Sequence, residues 1–173
     1  MKRPILIHPD PRLKKVCDPV PDSSDQIRLL AAEMLETMYD APGIGLAAPQ
    51  VGVNARVLVM DCAQRDEEEK PRPLCLINPE ITWSADETSE YEEGCLSIPE
   101  VFANVTRPKA VTVQYMDPDG DMHEETFENT WAVCVQHEID HLNGKLFIDY
   151  LSPMRRRMIT SKMQKLKKER ARG

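Results

Sequence analysis

Histidine recurs four residues on from itself, with a glutamate directly after the first, in the stretch CVQHEIDHLNG (residues 134–144). No other feature constrains the chain as strongly. The spacing predicts an α-helix, because residues i and i+4 lie one turn apart on one face, where His137 and His141 can bind a single ion. In this H-E-x-x-H pattern Glu138 is the candidate general base of a metal-assisted hydrolysis. A catalytic site of this kind needs a third protein ligand, and the stretch does not supply it. The downstream extension of the motif is followed as far as Gly144 and then fails, since Phe147 stands at the last ligand position. The acids that follow, Asp149 and Glu169, are poor substitutes. Upstream, EEGCLSIPE sets Cys95 between Gly94 and Leu96, in a segment too punctuated for a core strand. A lone cysteine is more often a small buried hydrophobe, but beside an unclosed pair of histidines it is a candidate thiolate ligand.

The flanking sequence predicts the frame that carries this helix. Its 173 residues suit one compact domain with a single core. HPDPRLKK reads as a helical turn, with Asp10 as N-cap and Pro11 at the first helical position. In SSDQIRLLAAEMLETMYDA, the residues Ile27, Leu30, Ala31, Met34, Leu35 and Met38 recur at helical spacing behind a Ser24 cap. ARVLVMDCA, PLCLINPEI and KAVTVQYMD read as strands, with RDEEEK (residues 65–70) a solvated loop. KAVTVQYMD turns at DPDGD into a hairpin partner, MHEETFE. Two helices follow, one over residues 129–143 and a C-terminal one from Ser152 and Pro153 onward. This order predicts an α+β fold: small antiparallel or mixed sheets around a central metal-binding helix over residues 1–153, plus a basic C-terminal helix over residues 154–173.

Charge and cysteine usage narrow the function. Net charge is −7, yet the last twenty residues hold nine Lys/Arg against one acid, leaving an acidic body and a basic tail. That asymmetry suggests a polyanionic partner for the tail alone. The cysteines (Cys17, Cys62, Cys75, Cys95, Cys134) are odd in number and form no C-x-x-C pair, which favours a reducing cytoplasm over a disulfide framework. The N-terminus does not have the form of a signal peptide, and no stretch is long enough to span a membrane. APGIGLAAPQVG (residues 41–52) is rich in small residues that let backbone approach a neighbour closely. It matches neither phosphate-binding glycine pattern, so no nucleotide cofactor is implied.

Together, GIGLAAPQ (residues 43–50), EGCLS (residues 93–97) and QHEIDH (residues 136–141) resemble the three motifs of peptide deformylase, in the same order. The resemblance runs from HPDPRL to DYLSP, nearly the whole chain. It implies that Cys95, His137 and His141 bind one divalent metal, ferrous iron in the native enzyme with zinc, nickel or cobalt possible in preparations. A metal-bound hydroxide would attack the formyl carbonyl of an N-terminal formyl-methionine, with Glu138 moving the proton. The Gln50 amide and the Leu96 backbone N–H would stabilise the growing negative charge. The backbone of Gly43, Ile44 and Gly45 would pair with nascent formyl-methionyl peptides. Ile44, Val133 and Cys134 would receive the methionine side chain, and Glu93, Gln136 and Asp140 would orient ligands. The basic helix would dock on the ribosome. The sequence departs from the family's habits at Phe102, at Thr106 within Val105-Thr106-Arg107, and at Trp131, bulky for a place near the pocket entrance. Two other readings stay open: an H-E-x-x-H metalloendopeptidase, or a non-catalytic RNA-binding protein whose structural zinc takes Cys134 as a fourth ligand.

Overall fold

A computed structural model describes residues 1–68 and 70–173, so the expected 65–70 loop is described except at residue 69. A short 3-10 turn, Pro11–Lys14, starts where Asp10 accepts the Arg12 N–H. Helix α1 spans Asp25–Asp40 behind Ser24, whose hydroxyl accepts the Ile27 N–H. Strands β1 (Gly45–Ala47), β2 (Val57–Met60), β3 (Leu74–Ser84), β6 (Ala110–Met116) and β7 (Met122–Glu128) form one sheet in the order β1-β2-β3-β6-β7. Strands β4 (Thr88–Cys95) and β5 (Ile98–Pro108) pair apart from it as a two-stranded ribbon, and every pairing is antiparallel. Helices α2 (Asn129–Leu142) and α3 (Pro153–Arg172) complete the α+β fold.

Alternation along the strands divides the core. Leu58, Met60, Leu76, Val111 and Val113 turn one face of the sheet toward Ala132, Val135 and Ile139 of α2. Val57, Val59 and Ile77 turn the other toward Leu30, Met34 and Met38 of α1. A third cluster joins Ala103 and Val105 of the ribbon to Leu13, Phe147 and the Ile159–Met163 stripe of α3. The metal-bearing helix is thus the centre of the molecule, with eleven of its fourteen residues buried. Gly144 ends it in the left-handed region at φ +77, where a Cβ would lie 2.5 Å from the Lys14 carbonyl oxygen. Only glycine fits that stop.

The ribbon is where the structure departs most from the sequence. Cys95 closes β4, and the segment around it, which read as irregular, is two strands joined by a turn at Leu96 and Ser97. The run TSEYEEGC conceals the strand because its side chains face mostly water, so it carries little apolar alternation. Trp131 also differs: it packs on Phe127 beneath the Arg72 guanidinium, inside the core rather than at a pocket entrance.

Candidate metal centre and substrate groove

Strand β4 and helix α2 bring three donors together from 42 residues apart in sequence. The donor atoms of Cys95, His137 and His141 all lie within 4.8 Å of one another, the one such group among the described residues. Cys95 Sγ stands 3.4 Å from His141 Nε2. His137 has its other nitrogen fixed: Nδ1 bonds Glu93 Oε1 at 2.9 Å, which leaves Nε2 for an ion. A thiolate and two imidazoles suit a transition-metal cation, and three protein ligands leave a position for water. The residues fit the metal that the sequence implied.

Behind these ligands lies a buried ionic network. Arg107 forks onto Glu93, with Nε to Oε2 at 2.6 Å and the second nitrogen to Oε1 at 3.0 Å. Its other arm reaches Asp140 at 2.9 Å, and the Tyr150 hydroxyl donates to the same carboxylate at 2.8 Å. Burial opposes the Glu93 charge, but His137 and Arg107 outweigh it and hold the carboxyl below its usual value. Asp140 therefore acts at one remove, through Arg107. Gln136 does not join in; its amide donates to the carbonyls of Pro108 and Ala132, which ties α2 to the end of β5.

Glu138 occupies a different environment. Its Oε2 is 3.9 Å from His137 Nε2, while its Oε1 is buried without a hydrogen-bond partner among the described residues. Burial, partly offset by His137, raises the carboxyl to about 7, the range that suits a group able to accept and return a proton near neutrality. Gly45 makes room for it: a Cβ there would fall 2.6 Å from Glu138 Oε2 and 2.7 Å from Cys134 Sγ.

Gln50, in the 3-10 turn Ala48–Val51 after β1, is buried and locked. Its Oε1 accepts the Ala47 N–H at 2.9 Å. Its Nε2 donates to Ser97 Oγ at 3.1 Å and lies 3.5 Å from Cys95 Sγ. Ser97 is a functional neighbour that sequence reasoning missed, although EGCLS contains it. A groove of about 630 Å³ opens over the centre, lined by Gly43, Ile44, Gly45, Leu96, Val133 and Cys134 together with Cys95, His137 and Glu138. Every residue expected to touch a substrate through backbone or apolar side chain lies on its wall. Phe102, 61% exposed, lines its rim opposite Gly94. Cys134 points away from the three donors: its thiol donates to the Ile44 carbonyl at 3.5 Å, so it is no fourth ligand of a closed site.

Known proteins resemble this chain along nearly its full length. The family model for polypeptide deformylase matches residues 2–157. A peptide deformylase of Methylocella silvestris is 53% identical over 96% of this chain and 85% of its own. That of Mesorhizobium japonicum is 53% identical over 99% and 96%. Among solved structures, a peptide deformylase from Legionella pneumophila superposes with TM-score 0.91 at 44% identity, covering 100% of this chain and 99% of that one. The Ehrlichia chaffeensis enzyme in complex with actinonin gives 0.90 at 41% identity, over 94% and 96%.

Proposed function

The chain belongs to the polypeptide deformylase family, a metal-dependent hydrolase that removes the N-formyl group from nascent polypeptides, and from that premise we propose the part each side chain plays. One observation carries the assignment: Glu138 stands beside a three-donor cluster at the floor of a groove whose walls are glycine backbone and apolar side chains. Cys95, His137 and His141 hold the ion, and ferrous iron is its native identity. When bound, the ion supplies Lewis acidity that acidifies water and polarises a carbonyl.

The chain's own groups do the rest. Glu138 takes a proton from the attacking water and returns it to the methionine nitrogen as the C–N bond breaks, releasing formate and a free amine. The Gln50 amide and the Leu96 N–H donate to the formyl oxygen as its negative charge grows, each contributing ~3 kcal/mol. Gln50 suits this task because Ala47 and Ser97 fix its orientation before substrate arrives. The Gly43–Gly45 backbone pairs with the extended peptide, and Ile44, Val133 and Cys134 take the methionine side chain. Protein purified without oxygen should release formate from a formyl-methionyl peptide in proportion to its iron content. Undiminished formate release after complete metal removal would overturn the reading.

The basic face of α3 supports a second part of the proposal, salt-sensitive docking on the ribosome through Arg155, Arg156, Arg157, Lys162, Lys165, Lys167 and Lys168. We assign the protein to the cytoplasm, where nascent chains emerge; no helix among the described residues is long and apolar enough to cross a membrane. Residues 154–173 are then a docking appendage of the catalytic domain. Truncating after Pro153 is a poor test, because Ile159 and Met163 are buried in the third core cluster. Replacing Lys165, Lys167 and Lys168 with glutamine should weaken co-sedimentation and flatten its salt dependence by a slope of about 3. Unchanged co-sedimentation at every salt concentration would remove α3 from the interface.

A further inference from the structure

A second cleft, of about 420 Å³, lies between the Pro11–Lys14 turn and the first turns of α3. It shares no lining residue with the substrate groove. Lys14, Arg156 and Arg157 bring three cations to its walls, and Asp149, 3.3 Å from the Lys14 ammonium, offsets one of them. The remaining polar groups there are Ser161, Thr160 and His8.

Arg156 is the informative residue. Four arginines of the chain are buried or half-buried: Arg3, Arg56, Arg107 and Arg156. The first three each spend their guanidinium on a fixed acceptor, Arg3 on Glu33, Arg56 on the Leu142 carbonyl and Arg107 on Glu93. Arg156 alone has no side-chain acceptor or carboxylate among the described residues. A half-withdrawn guanidinium gives up hydration without return unless an anion completes it. His8 forms a buried wall of the same cleft, its Nε2 at 2.8 Å from Thr160 Oγ1 and its Nδ1 unpartnered. Burial first, then Lys14 and Lys167 against the opposing Asp149, lowers His8 to about 4.

We propose that this cleft is a phosphate-binding site, in which Arg156, Arg157 and Lys14 supply charge and Ser161 supplies a hydroxyl donor. Phosphate is favoured over a carboxylate because cations line the cleft from two separate elements and a tetrahedral oxyanion can use several donors at once. A phosphodiester of RNA and free phosphate present the same oxygens. The site is independent of the catalytic assignment, and it would stand even if α3 proved not to touch the ribosome.

The test is a titration of inorganic phosphate into zinc-loaded protein at constant ionic strength, followed by NMR at the His8 ring, the Arg156 guanidinium and the Ser161 amide. Saturable shifts at all three are expected. Arg156→Gln should weaken the half-saturation by ~10-fold, the loss of one charge-assisted hydrogen bond. Arg157→Gln, a change at an exposed position that leaves the fold alone, should weaken it as well. A short RNA oligomer separates the sources: if it saturates the same signals and phosphate displaces it, the ligand is a backbone phosphodiester. If phosphate alone saturates them, the site takes a small oxyanion; either result supports the site. Failure of both ligands to saturate these signals, or unchanged affinity in both variants, would overturn it.

Discussion

Helices α2 and α3 both mix ionisable and apolar residues, yet they stand in opposite relations to water. Helix α2 lies between the sheet and the ribbon, so its histidines, Glu138 and Gln136 are surrounded by protein. Helix α3 buries Ile159 and Met163 on the third core cluster and leaves its charges, Arg156 excepted, in solvent. The physical consequence is a difference in tolerance. A buried polar group must be paired or hold an ion, because leaving it alone costs several kcal/mol. A solvated charge loses little when changed. Chemistry is therefore concentrated on the helix whose polar groups are withdrawn from water, and the polyanion docking proposed above would fall to the helix whose charges are mostly solvated.

The contrast can be broken most sharply at Glu138. Glu138→Ala should keep its metal and lose ~10²–10⁴-fold in kcat, the contribution of one positioned proton carrier. Metal analysis with steady-state deformylation reads both, and wild-type turnover with metal retained would exclude the role. Next comes Gly45→Ala, which touches neither metal nor substrate side chain but drives a methyl group into the Glu138 carboxylate. Both neighbours are buried and cannot swing clear, so a fall of ~10²-fold is expected from displacement of the base. Equal loss of metal in this variant would show instead that the centre as a whole had shifted.

Arg107→Leu leaves the buried Glu93 and the half-buried Asp140 without their cation, at a cost of ~3–5 kcal/mol. It should also weaken metal binding by ~10–100-fold through the freed His137 partner. Denaturant unfolding and metal competition measure the two separately.

A pH effect belongs to the α3 boundary. His8 lies at about 4 in the fold, below its ordinary 6.5, so between these values the unfolded chain binds more protons than the folded one. The stability contributed by neutral His8 is thus complete above about pH 6.5 and is lost as pH falls through about 4. His8→Gln should flatten the pH dependence of unfolding in that window; an unchanged slope would show that His8 does not cause it. The smallest effect is expected at Met158, 67% exposed on α3, where alanine should alter stability by no more than ~0.5 kcal/mol.

Local signal placed β7, mostly exposed, only as the hairpin partner across the DPDGD turn, and placed α1, α2, α3, β2, β3 and β6 through an apolar face, a cap or motif spacing. It missed β1 and the β4–β5 ribbon. β4 is rich in charged and polar residues, and β5 shows apolar alternation only briefly, at Ala103 and Val105 around Asn104, so little hydrophobic alternation announces the pair. The site divides in the same way. His137, Glu138 and His141 declare themselves by helical spacing, since one turn of helix fixes their relation. Cys95 was a candidate only because the two histidines left a site unclosed, and Gln50 was legible through family resemblance alone.

What the sequence by itself determined was the helix that must carry two histidines on one face, the α+β order of elements, and the sign of charge at each end of the chain. Only the tertiary structure decided that Cys95 faces that helix, that Ser97 and Ala47 hold the Gln50 amide, and that Arg107 couples Glu93 to Asp140. It also set Trp131 into the core and left the Arg156 guanidinium without an acceptor among the described residues. The reason is range. Helical spacing and caps act within four residues, whereas burial, and with it the cost of an unpaired polar atom, depends on neighbours that only folding brings together.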